Sequence, residues 1–163
     1  MTTMFDSVNV THIPKTAQYV AGYVNGNWPT FNSLVKEFPK AVCVSIDVNG
    51  SAIADVLDVE VGDATPEQSV AWVVKMRKLG RPGIVYCSRS LMPAVQHYFI
   101  AANVAQPYFW IADWTNEAHL VAGSVATQWA DGSVKYPGYA RWCDTTLLSA
   151  AFPVTKTNKD NTK

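Results

Sequence analysis

The sequence predicts an α/β protein, a degenerate TIM-like (β/α) barrel with some helices missing and the last strands antiparallel. Eight short, apolar, β-branched segments can each form a strand, and helix-forming segments separate several of them. The chain has 163 residues, well short of the roughly 250 residues typical of a complete barrel. Two links explain where helices are missing. The connection between the third and fourth strands is too short for a parallel crossover, which needs about a dozen residues. The connection between the seventh and eighth strands resembles a hairpin.

Turn-forming residues mark the ends of the eight predicted strands. The strands are Met4–Val10, Tyr19–Val24, Ala41–Val48, Asp55–Val61, Gly83–Ser88, Tyr108–Trp114, Val125–Ala130 and Tyr139–Leu147. Asp47 ends the third of them, and we expect the following Asn49-Gly50 turn to satisfy its carboxylate. The barrel is expected to fill residues 1–152, and residues 153–163 to form a flexible, polar C-terminal tail.

Three helices and one further helical turn are predicted between the strands. Pro29 begins the first helix, which ends at Phe38 before a proline. The second begins at Pro66, with Thr65 as its cap and Gln68 in capping-box position. The remaining segments are Leu91–Ala102 and a single turn at Glu117–Val121.

Charge and composition exclude several kinds of partner. The chain carries 13 basic and 13 acidic residues, so its formal net charge is zero, which argues against nucleic acid or an anionic membrane as partner. The N-terminus has no signal-peptide pattern, so synthesis in the cytoplasm is expected. The three cysteines have no CxxC spacing and are expected to be buried structural thiols. We expect a monomer without a cofactor or a bound metal.

Acidic residues lie where the predicted strands end, which is where barrels carry function. Asp58 and Glu60 project from one face of the fourth strand, about 6.6 Å apart along the backbone. Further acids are Asp6, in the middle of the first strand, Asp113 and Asp144. Aromatic residues flank them: Tyr86, Trp110, Trp114, Trp129 and Trp142. Of these, Tyr86, Trp110 and Trp129 are predicted to bind the substrate. Carboxylates with stacking rings are what a sugar site requires, although any one of these rings can equally be core.

The order of these motifs resembles glycoside hydrolase family 25, the Chalaropsis-type lysozymes. The matching pieces are Phe5-Asp6-Ser7, Leu57-Asp58-Val59-Glu60, the Trp-Ile-Ala-Asp-Trp segment at 110–114, Thr127-Gln128-Trp129, and Asp144 after a glycine-containing hairpin. Within this family, the sequence resembles the small glycoside-hydrolase-like domains of actinobacterial phages and their hosts. The resemblance implies a muramidase that cleaves peptidoglycan glycan strands, at the cell wall after release or from a phage particle.

The resemblance also implies a role for each acid. Glu60 would be the general acid, and Asp58 would stabilise the positively charged intermediate directly or by orienting the substrate's acetamido group. Asp6 and Asp144 would hold sugar or water. The compressed link between the third and fourth strands departs from the family and indicates a shallower groove.

Two other functional classes remain open on the sequence. The first is a non-catalytic carbohydrate-binding or phage structural protein that keeps the barrel. The second is a metal-dependent hydrolase, which the positions of His12, His97 and His119 disfavour, because they are predicted to lie in a turn and two helical segments away from the strand ends. An oxygen-only calcium or magnesium site is still compatible with the acids. Cysteine nucleophile chemistry lacks a neighbouring histidine.

Overall fold

The computed structural model describes residues 2–133 and 142–153, which form a mixed α/β structure around a closed eight-stranded barrel. The strands follow one another around the barrel in chain order. They are β1 (Thr2–Asp6), β2 (Tyr19–Tyr23), β3 (Val42–Asp47), β4 (Val56–Asp58), β5 (Ile84–Ser88), β6 (Tyr108–Ala112), β7 (Ala126–Ala130) and β8 (Asp144–Leu148). The predicted barrel is thus confirmed, and all eight predicted strands overlap an observed one.

Three α-helices lie in the described part of the chain: α1 (Phe31–Glu37), α2 (Pro66–Lys78) and α3 (Met92–Ala101). The start of α2 is as predicted, because Thr65 accepts from the Gln68 backbone N–H and the Gln68 side chain accepts from that of Thr65. The helical turn predicted at Glu117–Val121 is wrong. This segment is an irregular loop, and the residue before it, Asn116, has a left-handed backbone (φ 64°), which does not lead into a helix.

Strand direction changes only at β8 within the barrel. Strands β1 to β7 pair in parallel with their neighbours, whereas β8 pairs antiparallel with both β7 and β1. The prediction that the last strands are antiparallel is confirmed. Its consequence is geometric: the first residue of β8, Asp144, lies at the rim where the parallel strands end, directly opposite Asp6 of β1.

The connection between β3 and β4 departs from expectation. These strands are parallel although residues 48–55 join them without a helix, so the argument that the link is too short for a parallel crossover is wrong. Side-chain hydrogen bonds, and not a helix, hold this connection in place. The buried Asp47 carboxylate accepts from the N–H groups of Asn49, Gly50 and Ala52, as predicted for the turn, and also from the Trp72 indole.

Strand ends also differ from the predicted ones. The first strand stops at Asp6, because the chain bends at Val8 and Asn9 and then forms a 3-10 turn at Val10–His12. Asp6 is therefore at a strand end instead of mid-strand. The fourth strand ends at Asp58, so Glu60 follows the strand. Residues 154–163, most of the predicted tail, and the first part of the predicted eighth strand, residues 139–141, lie outside the described residues.

Apolar side chains fill the barrel and the layer outside it. One buried cluster, which includes Met4, Val44, Ile84 and Trp110, occupies the barrel interior. A second packs α2 and α3 against β4 to β6. No helix of the described residues is long and apolar enough to span a bilayer. The two clusters fix the strands, and with them the acids at the rim.

Candidate functional site

Four of the predicted acids meet at one rim of the barrel. Asp6 ends β1, Asp58 ends β4, Glu60 follows β4 by two residues, and Asp144 begins β8. Asp6 and Asp58 are only 2% and 5% exposed. Charged groups this deeply buried are costly unless they are paired or protonated. Burial therefore raises the pKa of each of the four acids.

The side chain of Gln128 on β7 connects these acids to the aromatic residues. Its Oε1 accepts from the Tyr86 hydroxyl (2.8 Å) and from the Trp114 indole N–H (2.9 Å). Its Nε2 donates to Asp6 Oδ2 (3.1 Å) and, at the limit of hydrogen bonding, to Asp144 Oδ2 (3.5 Å). Sequence reasoning placed Gln128 in a motif without giving it a role, since a buried glutamine is identifiable as a connector only once its four partners are in place.

Asp6 and Asp144 form a coupled pair opposite one another on β1 and β8. Burial raises the pKa of Asp6, against the lowering effect of hydrogen bonds from Gln128 and Asp144. Burial and the Asp6 charge raise the pKa of Asp144. Two adjacent buried carboxyl groups resist double ionisation. The pair therefore holds a proton that one carboxyl can donate to the other as a hydrogen bond.

Asp58 and Glu60 lie side by side in different surroundings. Burial raises the pKa of Asp58 to about 8, with smaller contributions from the charges of Glu60, Asp63 and Asp6. Among the described residues, Asp58 Oδ1 is buried without any hydrogen-bond partner. Glu60 is half-buried, and burial followed by the Asp63 charge raises its pKa. A carboxyl with a raised pKa stays protonated closer to neutral pH and can act as an acid.

Two clefts open on the rim, and Glu60 is the residue that lines both. The first has a volume of about 460 Å³ and also includes Asp58, Asp63, Tyr23 and Trp28. The second has a volume of about 640 Å³ and includes Arg89, Trp114 and Asp113. Glu60 is thus the residue that these two clefts share.

The predicted aromatic ligands are mostly buried. Trp110 is 1% exposed inside the barrel, donates to Thr146 Oγ1 (3.2 Å) and packs edge-on against Tyr86 at 5.0 Å. Trp129 lies in a β-bulge of β7 and is buried with Ala130 and Leu147. Neither indole offers a face to a sugar, because close packing covers both. Tyr86 reaches the site only through its hydroxyl.

Two exposed indoles line the clefts: Trp114, which the sequence already places among the aromatic residues beside the acids, and Trp28, which was not predicted. Trp28 is 60% exposed in the first cleft, and Trp114 is 54% exposed in the second. The sequence carried a signal for Trp28, since a tryptophan directly after the Asn25-Gly26-Asn27 turn has no apolar strand or helix to pack into. Trp114 follows the end of β6, the usual place for functional side chains in barrels.

Asp113 belongs to an ion-pair cluster at the far edge of the second cleft. Its Oδ2 lies 2.9 Å from Arg89 Nη1 and 2.9 Å from His119 Nε2. Partial burial acts to raise its pKa, but the hydrogen bonds from His119 and Arg89 outweigh this, so the pKa of Asp113 is lowered. The expectation that His119 lies away from the strand ends is wrong, because the irregular loop after β6 folds it back onto Asp113.

Metal and thiol chemistry can be judged from the same geometry. Carboxylate oxygens of Asp58, Glu60 and Asp63 lie within 4.8 Å of one another, so this part of the rim can hold a hard cation. All three cysteines are buried thiols outside any disulfide. Burial raises the pKa of Cys87 to about 12, which makes it a poor nucleophile at neutral pH.

The chain was also compared with known proteins. No protein-family model matches this sequence, and the search of curated proteins gives no match either.

Proposed function

We propose that this protein is a glycoside hydrolase of the family 25 kind, a muramidase that cleaves peptidoglycan glycan strands with Glu60 as general acid. Its fold, on this proposal, is a TIM-like barrel that has lost several helices. The observation that carries the proposal is the position of Glu60 at the junction of two clefts. An enzyme that cuts inside a polymer needs room for sugar units on both sides of the acid.

The pairing of Glu60 with Asp58 supports retaining chemistry. One oxygen of each lies within 4.8 Å of the other, so the two carboxyl groups are too close for the roughly 6.5–9.5 Å separation of inverting enzymes and suit the closer pair of retaining ones. Glu60 is the more accessible of the two and can reach the leaving glycosidic oxygen. Asp58, deeper in the cleft, can face the cationic sugar or its acetamido group.

The proposed role of Asp58 requires it to be protonated in the free protein and ionised in the transition state. With a pKa raised to about 8, Asp58 is mostly protonated at neutral pH. A positive charge that develops on the sugar ring favours the ionised form of the nearest carboxyl group. Once Asp58 has released its proton to water in the cleft, its carboxylate stabilises the cationic transition state more than the neutral ground state, which is the requirement for catalysis. Asp6 and Asp144 then provide hydrogen bonds for the substrate or for water.

Exposed indoles on each side of Glu60 supply stacking surfaces. Trp28 lines one cleft and Trp114 the other, and the hydrogen bond from the Trp114 indole to Gln128 holds its ring in place. Flat rings beside an acidic cleft suit the apolar faces of pyranose sugars. In this proposal these two residues replace Trp110 and Trp129 as the aromatic contacts of the glycan.

The experiment is release of reducing sugar from purified peptidoglycan, actinobacterial walls included. We expect release by the wild type and none by Glu60→Gln, because the amide keeps the shape of the side chain but carries no acidic proton. Glu37→Gln, which makes the same change on α1, is the matched control and should behave as wild type.

A folded wild type that releases no sugar would refute hydrolysis. If that protein still binds cell walls in a pull-down, and Trp28→Ala weakens the binding, the non-catalytic carbohydrate-binding function replaces it. Full activity of Glu60→Gln would remove Glu60 from the acid role.

A further inference from the structure

Three carboxylates of one short segment form a compact set of oxygen ligands on the wall of the first cleft. Asp58, Glu60 and Asp63 each offer an oxygen, and these oxygens lie within 4.8 Å of one another. Calcium binds oxygens at about 2.3–2.6 Å, so ligands on opposite sides of the ion are about 4.6–5.2 Å apart. Oxygens this close together can share one calcium ion after small side-chain adjustments. We propose that Asp58, Glu60 and Asp63 bind a calcium ion.

An independent observation points to a ligand at this place. Asp58 is 5% exposed, and its Oδ1 has no hydrogen-bond partner among the described residues. The other buried acids at comparable depth are satisfied: Asp47 accepts several backbone N–H groups, and Asp55 accepts from Ser45 and Arg81. A buried carboxylate oxygen without a partner is costly. A cation in the cleft that Asp58 lines would supply the missing contact.

The electrostatics of the cleft favour a cation over any other small ligand. Its described lining includes three acidic residues and no lysine, arginine or histidine. Asp6 adds a further carboxyl group that interacts with Asp58. Oxygen-only ligands select hard cations, and the absence of histidine and cysteine from the set disfavours zinc and copper.

Calcium suits the set better than magnesium. Magnesium requires near-ideal octahedral geometry at about 2.0–2.1 Å and gives up water reluctantly, whereas calcium accepts 6–8 oxygens in irregular arrangements. Glu60 is half-buried and Asp63 exposed, so water can complete the coordination. With three protein carboxylates and an open side, we expect a dissociation constant in the weak range of about 10⁻⁴–10⁻³ M.

The calcium site goes beyond the proposed hydrolysis and does not depend on it. The ion would use oxygens of Asp58 and Glu60, so a calcium ion and a glycan at this position exclude one another. Binding is measured without any substrate, which keeps failure of the calcium proposal separate from failure of the hydrolase proposal.

The test is calorimetric titration of the full chain with calcium chloride at low ionic strength, repeated with magnesium chloride. We expect one calcium per chain, and a loss of affinity of at least about tenfold in Asp63→Asn. Asp63 is exposed, so this variant should fold, and equal thermal unfolding midpoints without calcium check that it does. Glu37→Gln removes an acidic charge from α1 and should bind calcium as the wild type does.

A second probe locates the ion. Terbium, which replaces calcium at oxygen sites, should show luminescence excited through Trp28 of the same cleft, and calcium should displace it. Trp28→Phe should weaken the luminescence and leave the calcium affinity unchanged. The proposal is overturned if the wild type takes up no calcium, if Asp63→Asn binds it with wild-type affinity, or if magnesium binds more tightly than calcium.

Discussion

Replacing Asp58 by asparagine should stabilise the protein, and increasingly so as the pH rises. The pKa of this carboxyl is raised from 3.8 to about 8 in the folded protein, chiefly by burial. A group whose folded pKa is raised contributes its full stability below its unfolded pKa and loses it as the pH rises towards the folded value. Asparagine resembles the protonated acid in shape and neutrality, so the variant avoids this loss.

The magnitude follows from the window between the two pKa values. From pH 3.8 to pH 7 the unfolded chain releases the proton while the folded protein keeps it, at about 1.4 kcal/mol per pH unit. The wild type therefore loses on the order of 4 kcal/mol of unfolding free energy over this range, and the variant does not. The difference between the two proteins should be near zero at pH 4 and largest at pH 8.

Urea unfolding of both proteins at pH 4, 5.5, 7 and 8 measures this difference. Asp131→Asn is a control of opposite sign, because hydrogen bonds from the Ser133 hydroxyl and backbone N–H lower the pKa of Asp131. That variant should be less stable than wild type at pH 7. A stability difference for Asp58→Asn that stays constant from pH 4 to pH 8 would refute the burial argument.

Other expected outcomes test the parts of the site separately. Gln128→Glu replaces the amide donor to Asp6 with a further buried acid and should lower the urea midpoint at pH 7 much more than at pH 4. Trp110→Ala should cost about 3–5 kcal/mol of unfolding free energy, the usual cost of emptying a buried tryptophan site. Trp28→Ala, at an exposed site, should leave stability within about 0.5 kcal/mol of wild type and weaken glycan binding about tenfold in a titration. Because the pKa of Glu60 is raised, the alkaline limb of kcat/KM should lie above pH 4.5; a limb at or below it would contradict Glu60 as acid. The reducing end released by wild type should keep its anomeric configuration by NMR, and inversion would contradict the Asp58–Glu60 pairing.

Much of the fold could be predicted because local patterns and the global fold agree. Apolar runs between turn residues located the strands, and the Thr65–Gln68 capping box located the start of α2. Strand limits were less predictable. The alternating pattern of Met4–Val10 continues past Asp6, but the strand ends before Ser7, whose hydroxyl donates to the Trp142 carbonyl, 135 residues away in sequence. No local signal reports such a contact.

The candidate site was likewise predictable only in part. The acids Asp58 and Glu60 were predictable because carboxylates interrupting a β-branched apolar segment conflict with burial. The choice of aromatic residues was not. Trp110, Trp129, Trp28 and Trp114 are the same residue type in similarly apolar or turn-flanked segments, and only the packing of the barrel decides which rings it covers.

By itself, the sequence determined the approximate positions of the eight strands and three α-helices, the charge balance, and the acids near the ends of β4 and β6, because these depend on hydrophobic periodicity and side-chain chemistry over a few neighbouring residues. Only the tertiary structure brought Asp6 and Asp144 together, made Gln128 their common partner, and opened a cleft on each side of Glu60. Closure of the barrel places the first strand beside the last. A local sequence pattern carries no information about the distance between two groups that are brought together in this way.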